Sequence, residues 1–329
     1  MTKTNAATID MSAWAGRVDA VDGMAGRRWH QVVRPACEAT TRGVALLGFA
    51  CDAGVRRNQG RPGAAAGPRA LRQQLANLAW HGATATGLYD AGDVVCAGDD
   101  LEQAQAGYAQ NLTDLMRSGQ RVIGLGGGHE IAWGAYQGLA SALSDDPRLQ
   151  RLGIVNFDAH FDLRQPGQPA RGSSGTPFLQ IAESRAAAGL SFDYLCLGLS
   201  EPANAAALFN RARDLGAGYV TDAAIDGPGA DESLRSFIAD CSAIYCTFCL
   251  DVLPVPEAPG VSAPAGLGVP LRRAIQLLRL LVAECRGNPG ADKLVMADVA
   301  ELNPAHDAPD ARTARAAARI VYELAGFSR

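Results

Sequence analysis

One short stretch of this chain carries acids and an imidazole at alternate positions. Asp158, His160 and Asp162 follow the apolar run at 151–155, which is typical of a buried parallel strand. Residues two apart lie on one face of an extended segment, so these side chains are expected to converge just past the end of that strand, where open α/β sheets bind ligands. Carboxylate and imidazole ligands suit Mn²⁺, Zn²⁺, Fe²⁺ or Co²⁺. The plainer alternative is that the acids face solvent and the histidine caps a loop.

Two further stretches place candidate ligands at the ends of other predicted strands. His129 follows the run at 121–125 and three consecutive glycines, which let the backbone approach a ligand closely. A single histidine of this kind is more often structural. Asp251 comes near the end of the long apolar run at 243–253, where an ionised carboxylate needs a partner that a metal ion could supply. Taken together, the three stretches predict a metal site.

A glycine-rich loop at 51–63 follows the first clear strand, at 43–50, and contains Arg56, Arg57 and Arg61. Loops at the carboxyl ends of strands tend to bind ligands, and a guanidinium group matches a carboxylate with two parallel hydrogen bonds. These arginines are therefore candidates for binding an acidic substrate. Most surface arginines are merely solvated, and that alternative stays open.

The composition describes an ordinary globular protein. Of the 329 residues, 48% are hydrophobic and 19% are charged, which leaves ample material for a core. The net charge is −4 and the basic residues are spread along the chain, so a nucleic-acid-binding surface is not expected. No apolar run reaches membrane-spanning length, and residues 1–10 lack the regions of a signal peptide. Most of the eight cysteines lie in apolar runs, which favours reduced thiols in a cytoplasmic protein.

The order of the predicted elements indicates the fold class. At least seven apolar, strand-like runs alternate with amphipathic, helix-like segments. This pattern favours a three-layer α-β-α fold with a central, mostly parallel sheet of about eight strands. No linker or internal repeat divides the chain, so we expect a single catalytic domain over residues 1–329, with residues 1–42 as an N-terminal extension.

Three motifs in this order resemble the ureohydrolase (arginase/agmatinase) superfamily. They are G-G-G-H-E at 126–130, N-F-D-A-H-F-D at 156–162 and F-C-L-D-V at 248–252, and the resemblance extends from about residue 43 to the end of the chain. Finer details resemble the formimidoylglutamase branch of that superfamily. These details are G-V-R-R-N-x-G-R-x-G-A-A at 54–65, G-G-G-H-E-x-A-W-G at 126–134, D-A-H-F-D-L-R at 158–164, A-P-G-V-S-A-P-A at 258–265 and A-E-L-N-P at 300–304.

The resemblance implies a binuclear Mn²⁺ centre. His129, Asp158 and Asp162 would hold one ion, and Asp158, His160 and Asp251 would hold the other.

One position departs from the superfamily pattern. A carboxylate two residues before the position of Asp251 normally helps to bridge the ions, and this chain has Cys249 there. The thiol is either packed and inert, which leaves one metal position a ligand short, or a thiolate ligand that biases the site toward softer ions such as Zn²⁺.

Two other departures concern the substrate. Arginases carry a histidine in the loop after the central motif, and the corresponding position here is Phe178, which makes arginase activity less expected. An asparagine that is common two residues after the last acid of the central motif is replaced by Arg164. A fixed cation there suits a substrate that bears carboxylates. Ser174 and Thr176, in the same loop as Phe178, would hydrogen-bond the amino-acid end of such a substrate.

The activity that the resemblance implies is metal-dependent hydrolysis of N-formimidoyl-L-glutamate to L-glutamate and formamide. The two ions would lower the pKa of a bridging water, Asp162 would carry its proton, and Glu301 would pair with the amidine. The substrate carboxylates would bind Arg57, Arg61 and Arg164. The alternatives are a ureohydrolase acting on a guanidino acid such as guanidinobutyrate, or a catalytically weak homologue. The resemblance also implies a homo-oligomer.

Overall fold

The structure is a computed structural model that describes residues 7–82, 87–167, 171–286 and 292–326. Within these ranges, one sheet contains nine strands, and every neighbouring pair is parallel. The order across the sheet is β1-β3-β2-β4-β9-β8-β5-β6-β7. The strands are β1 (Arg34–Pro35), β2 (Gly43–Ala50), β3 (Gly87–Val95), β4 (Arg121–Leu125), β5 (Leu152–Phe157), β6 (Asp193–Leu199), β7 (Gly218–Thr221), β8 (Ala243–Cys249) and β9 (Leu294–Ala300).

Helices cover both faces of the sheet. One apolar cluster joins the sheet to α2, α7, α8 and α9, and a second joins its other face to α3, α4, α5 and α6. The predicted three-layer α-β-α class is therefore confirmed. The helices are α1 (Ala53–Arg57), α2 (Gly67–Leu75), α3 (Leu101–Arg117), α4 (Ile131–Ala142), α5 (Pro177–Ala187), α6 (Ala206–Asp214), α7 (Pro228–Asp240), α8 (Leu271–Cys285) and α9 (Arg312–Ala325).

Local sequence explains why these elements form. Both β5 and β8 are buried along their whole length, as expected of central strands covered by helices on both faces. In α8, Ala274, Leu278, Leu281 and Cys285 recur at helical spacing and are buried. The carboxylate of Asp100 caps α3 by accepting a hydrogen bond from the backbone of Gln103 at 3.2 Å.

The structure corrects one predicted boundary and adds one strand that the sequence did not predict. Strand β8 ends at Cys249 and a 3-10 turn over Leu250–Val252 follows, so the predicted strand to residue 253 is too long. The N-terminal extension contributes the two-residue edge strand β1, which pairs with β3 and is too short to leave a pattern in the sequence. Among the described helices, none has the length and apolar character needed to cross a membrane.

Candidate metal centre and substrate cavity

The candidate ligands lie at the carboxyl ends of four neighbouring strands, β4, β9, β8 and β5. His129 follows β4, Glu301 follows β9, Cys249 ends β8 and Asp158 follows β5. Because parallel strands end at the same edge of a sheet, residues far apart in sequence meet there. The backbone N–H of His129, for example, donates to Oε1 of Glu301 at 2.9 Å.

The glycine turn after β4 fixes the position of His129. The N–H of Gly126 donates to the carbonyl of Val299 at 2.7 Å, and the N–H of Gly127 donates to the carbonyl of Phe49 at 2.8 Å. A side chain at Gly127 would place its Cβ 1.7 Å from the carbonyl oxygen of Cys51, so only glycine fits there. The turn is therefore joined to β9 on one side and β2 on the other.

The first ligand cluster surrounds Nδ1 of His129. This nitrogen lies 2.9 Å from Oδ2 of Asp158 and 3.0 Å from Oδ2 of Asp162, yet it has no hydrogen-bond partner among the described residues. The side chain is only 1% exposed. The ligand atoms of His129, Asp158 and Cys249 all lie within 4.8 Å of one another. A buried imidazole nitrogen that faces carboxylates and a thiol is the arrangement that ligands adopt around a cation.

The second cluster contains Asp158, His160 and Asp251, whose ligand atoms also lie within 4.8 Å of one another. Nδ1 of His160 is 3.1 Å from Oδ2 of Asp251 and 3.5 Å from Oδ1 of Asp158. Oδ1 of Asp251 has no hydrogen-bond partner among the described residues. Asp158 belongs to both clusters, so its carboxylate is placed to bridge two ions.

The segment that carries these ligands is not extended, and that detail of the prediction is wrong. Strand β5 ends at Phe157, and Asp162 adopts a left-handed backbone conformation with φ of 49°. The convergence comes instead from a turn that other side chains hold in place. The amide of Asn156 donates to Oδ2 of Asp158 at 3.1 Å, and Oδ1 of Asn204 accepts from the N–H of Phe161 at 3.1 Å.

Several buried acids repel one another in the site. Burial and the charge of Asp158 raise the pKa of Asp162 to about 6. Burial, with the charges of Glu130 and Asp251, raises the pKa of Glu301 to about 8. Burial also opposes ionisation of Asp158, but favourable interactions with the neighbouring His129 and His160 outweigh it and hold the pKa of Asp158 below its usual value. So much buried negative charge fits a site for divalent cations.

Three buried residues behind His129, which were not predicted from the sequence, form a hydrogen-bonded group: Thr247, Asp298 and Tyr245. Nε2 of His129 lies 3.0 Å from the hydroxyl of Thr247, which donates to Oδ1 of Asp298 at 2.6 Å. The hydroxyl of Tyr245 donates to the other oxygen of Asp298. All three residues are fully buried. Two sequence features could have predicted these contacts: an acid, Asp298, within the apolar run of β9, and a threonine, Thr247, within the apolar run of β8.

A cavity of about 290 Å³ opens in front of the two clusters. Arg61, Arg164, Ser174 and Glu301 line it, so the structure brings these predicted residues to the metal ligands. Nε of Arg61 donates to the carbonyl of Ser262 at 3.0 Å, which fixes the guanidinium. The side chain of Arg164 makes no hydrogen bond or ion pair with the described residues. Five residues for which no role was predicted also line the cavity, and all lie within the quoted motifs at 54–65 and 258–265: Asn58, Gln59, Gly60, Ser262 and Ala263.

Arg57 and Thr176 lie outside that cavity. Arg57 pairs with Glu102, with nitrogen–oxygen distances of 2.7 and 3.0 Å, and lines a neighbouring cavity of about 370 Å³. The hydroxyl of Thr176 accepts from the N–H of Ser173 at 2.9 Å and donates to Oε1 of Gln180 at 2.9 Å. Thr176 therefore shapes the loop that presents Ser174 to the cavity. Arg56, the third arginine of the glycine-rich loop, pairs with Asp52.

Phe178, which the resemblance matches to a histidine of arginases, lies beside the first ligand cluster. Its ring packs edge-on against the ring of His129, with centroids 5.3 Å apart and planes at 79°. The ring is fully buried. An apolar wall therefore stands beside the first ligand cluster, and it offers no group that could transfer a proton.

The fold and the paired histidine–carboxylate clusters define a three-layer α-β-α protein with a candidate binuclear metal site at one edge of its parallel sheet. The sequence pattern of the arginase family matches residues 42–326, so the chain belongs to the arginase family. The superfamily predicted from the three motifs is thus confirmed.

Similar proteins cover almost the whole chain. The formimidoylglutamase of Aromatoleum aromaticum is 48% identical, over 96% of this chain and 92% of its own length. That of Ralstonia nicotianae is 50% identical, over 96% of this chain and 95% of its own length. Among solved structures, the formiminoglutamase of Trypanosoma cruzi with Mn²⁺ superimposes with a TM-score of 0.75 at 26% identity, over 88% of this chain and 95% of that one.

Proposed function

We propose that this protein hydrolyses N-formimidoyl-L-glutamate to L-glutamate and formamide at a binuclear Mn²⁺ centre. The observation that carries the proposal is a single cavity in which the metal-ligand clusters face two arginines, Arg61 and Arg164. A cation at one end and a metal centre at the other suit a substrate with carboxylates and an amidine. The formimidoylglutamases that align along almost the full chain support the same substrate.

The residues fit a pair of ions. His129, Asp158 and Asp162 would hold one Mn²⁺, with Cys249 beside them, and Asp158, His160 and Asp251 would hold the other. Nδ1 of His129 and Oδ1 of Asp251, which have no hydrogen-bond partner among the described residues, each offer a lone pair to an ion. When bound, the ions supply Lewis acidity and lower the pKa of a water molecule toward neutrality.

The protein's own residues bind and orient the substrate. Arg164 and Arg61 hold its carboxylates by charge-assisted hydrogen bonds, and Ser174 hydrogen-bonds its amino-acid end. Oε2 of Glu301, which is buried and has no partner among the described residues, accepts a hydrogen bond from the amidine N–H. These contacts place the formimidoyl carbon against the metal ligands and away from bulk water.

Asp162 moves the proton. Its Oδ2 lies 3.0 Å from Nδ1 of His129 and the residue lines the cavity, so a water molecule that attacks the formimidoyl carbon could pass its proton to this carboxylate. Water adds to this carbon of the cationic amidine and one of its protons passes to Asp162. The bond from carbon to the glutamate nitrogen then breaks as Asp162 returns that proton to the nitrogen, and the second water proton leaves the hydroxyl as the formamide carbonyl forms and completes the glutamate ammonium group. The products are formamide and glutamate, so atoms and charge balance.

The test is a parallel assay of the metal-stripped protein after it is reloaded with Mn²⁺. Release of formamide, ammonia and urea is measured from formimidoylglutamate, guanidinobutyrate, agmatine and arginine, together with bound metal per chain. We expect formamide from formimidoylglutamate at about two ions per chain. Urea from guanidinobutyrate instead would overturn the substrate and keep the chemistry. No product from any substrate would favour a catalytically weak homologue.

We also propose that the chain works as a homo-oligomer in the cytoplasm. Val21 and Met24, on the N-terminal extension, are 101% and 62% exposed, and such apolar side chains suit a contact between copies. The eight cysteines form no disulfide, which suits a reducing compartment. Light scattering of the purified protein gives the number of copies, and a monomer would contradict the first part of the proposal.

A further inference from the structure

Cys249 is buried among ligands and not in the apolar core. It is the last residue of β8 and is 1% exposed. Cys246, on the same strand, belongs to the apolar cluster under α7 and α8, whereas Cys249 belongs to neither of the two apolar clusters among the described residues. Its Sγ lies within 4.8 Å of ligand atoms of both His129 and Asp158. A second observation points to a ligand, because Nδ1 of His129 is buried, faces the same cluster and has no hydrogen-bond partner in the part of the chain that the structure describes.

We propose that Cys249 binds a divalent metal ion as a thiolate, together with His129 and Asp158, so that the two metal positions of the centre differ in softness. The inference rests on the proposed function, because it concerns the same centre. As the sulfur–metal bond forms, the thiol proton is released to solvent.

The ligand chemistry gives each position its preference. Thiolate sulfur favours softer ions such as Zn²⁺ and Co²⁺, whereas carboxylate oxygen and imidazole suit Mn²⁺. The position built on Asp158, His160 and Asp251 has only oxygen and nitrogen ligands. The position that includes Cys249 should therefore discriminate against Mn²⁺ more strongly than it would with an aspartate in place of the cysteine.

The experiment uses the full chain, stripped with a chelator and titrated with Co²⁺. Thiolate coordination to Co²⁺ produces a sulfur-to-metal charge-transfer band in the near ultraviolet. We compare the native protein with Cys249→Ser, which is nearly isosteric, and with Cys249→Asp, which restores the carboxylate of the superfamily. Cys246→Ser is the matched control, because it removes a buried thiol from the same strand without touching a ligand cluster. Circular dichroism of each metal-free variant checks that it folds.

We expect the band in the native protein and in Cys246→Ser, and its loss in both Cys249 variants. Competition between Zn²⁺ and Mn²⁺ gives the second readout. The preference for Zn²⁺ should fall by about tenfold or more in Cys249→Asp relative to the native protein. This ratio compares the same two ions in both proteins, so the general preference of proteins for Zn²⁺ over Mn²⁺ cancels.

Two results would overturn the inference, and they are distinguishable. If about two Co²⁺ ions bind per chain without a charge-transfer band, the thiolate is not a ligand and the proposed function stands. If no ion binds to the folded protein, both the thiolate ligand and the proposed metal-dependent function fail. An unchanged ratio of Zn²⁺ to Mn²⁺ affinity in Cys249→Asp would also contradict the thiolate ligand.

Discussion

The hydroxyl of Thr247 lies 3.0 Å from Nε2 of His129 and gives its only proton to Asp298, 2.6 Å away. The hydroxyl oxygen can therefore only accept from His129, which places the imidazole proton on Nε2. Nδ1 is left with its lone pair pointing at Asp158 and Asp162. A histidine whose second nitrogen is fixed in this way is a better metal ligand, because neither its tautomer nor its ring orientation has to change on binding.

We predict that Thr247→Val weakens metal binding by about 10–100-fold. Valine has nearly the shape of threonine but cannot accept the Nε2 proton, so the imidazole loses the contact that fixes its tautomer. Titration against a competing chelator measures the affinity. Thr247→Ser keeps the hydroxyl and should bind metal like the native protein. Equal affinities of the Val and Ser variants would show that the hydroxyl does not act through His129.

Glu301 should matter for turnover and not for folding. Its Oε1 accepts from the N–H of His129 at 2.9 Å, and a glutamine can keep that bond. Its Oε2 has no partner among the described residues, and a cationic amidine bound there would favour the ionised carboxylate, which burial otherwise opposes. Loss of one hydrogen bond to a charged group costs about 1.5–3 kcal/mol. Glu301→Gln should therefore lower kcat/KM about tenfold or more, with no fall in the melting temperature of the metal-free protein. An unchanged kcat/KM would remove Glu301 from substrate binding.

Arg164 should set the affinity for the substrate carboxylate. Arg164→Met keeps an apolar stem and removes the guanidinium, which should raise KM for formimidoylglutamate and lower kcat/KM by about tenfold or more. Arg171→Met is the control, because Arg171 carries a similar charge near the same loop but pairs with Asp99 at 3.2 Å. If both variants lose activity equally, the effect comes from the general field of the loop and not from a contact with the substrate.

The sequence could predict the convergence of the candidate ligands because strand order did not have to be known. In a parallel sheet, β4, β5, β8 and β9 all have their carboxyl ends at one edge. Whatever their order, His129, Asp158 and Asp251 therefore lie in one region. The local path was less predictable. Asp162 has a left-handed backbone conformation with φ of 49°, and this turns its side chain toward the site. The alternation of residue types in the sequence does not predict such a conformation. The end of β8 was misplaced for a related reason, since an apolar run does not show where hydrogen bonding to neighbouring strands stops.

The arginines were the least predictable part of the site. A long side chain can reach many partners, and the partner that draws Arg57 away from the cavity is Glu102, which lies 45 residues further along the chain. Arg61, four residues later and beyond the end of α1, is instead fixed by the carbonyl of Ser262 and lines the cavity. The sequence shows the charges but not which of them the fold has already neutralised.

A buried carboxylate far from the cavity predicts how stability depends on pH. Glu323, in α9, is 2% exposed and accepts hydrogen bonds from Arg279 at 3.0 Å and from Arg319 at 2.8 Å. Burial alone would raise the pKa of Glu323, but these arginines outweigh it and hold the pKa below its ordinary value of 4.5. The folded protein thus binds this proton less readily than the unfolded chain does, so the ion pairs stabilise the fold above the ordinary pKa and stop doing so as the pH falls through the lowered one.

Glu323→Gln should therefore reduce the free energy of unfolding near neutral pH by about 1 kcal/mol, a modest value because both arginines are half exposed and screened. Urea unfolding of the metal-free protein measures the difference at neutral pH and at a pH below the lowered pKa. The difference between the native protein and the variant should shrink toward zero at the acidic pH, where the glutamate is protonated and resembles glutamine. A difference that stays constant over this range would mean that the glutamine acts through packing in α9 and not through the charge.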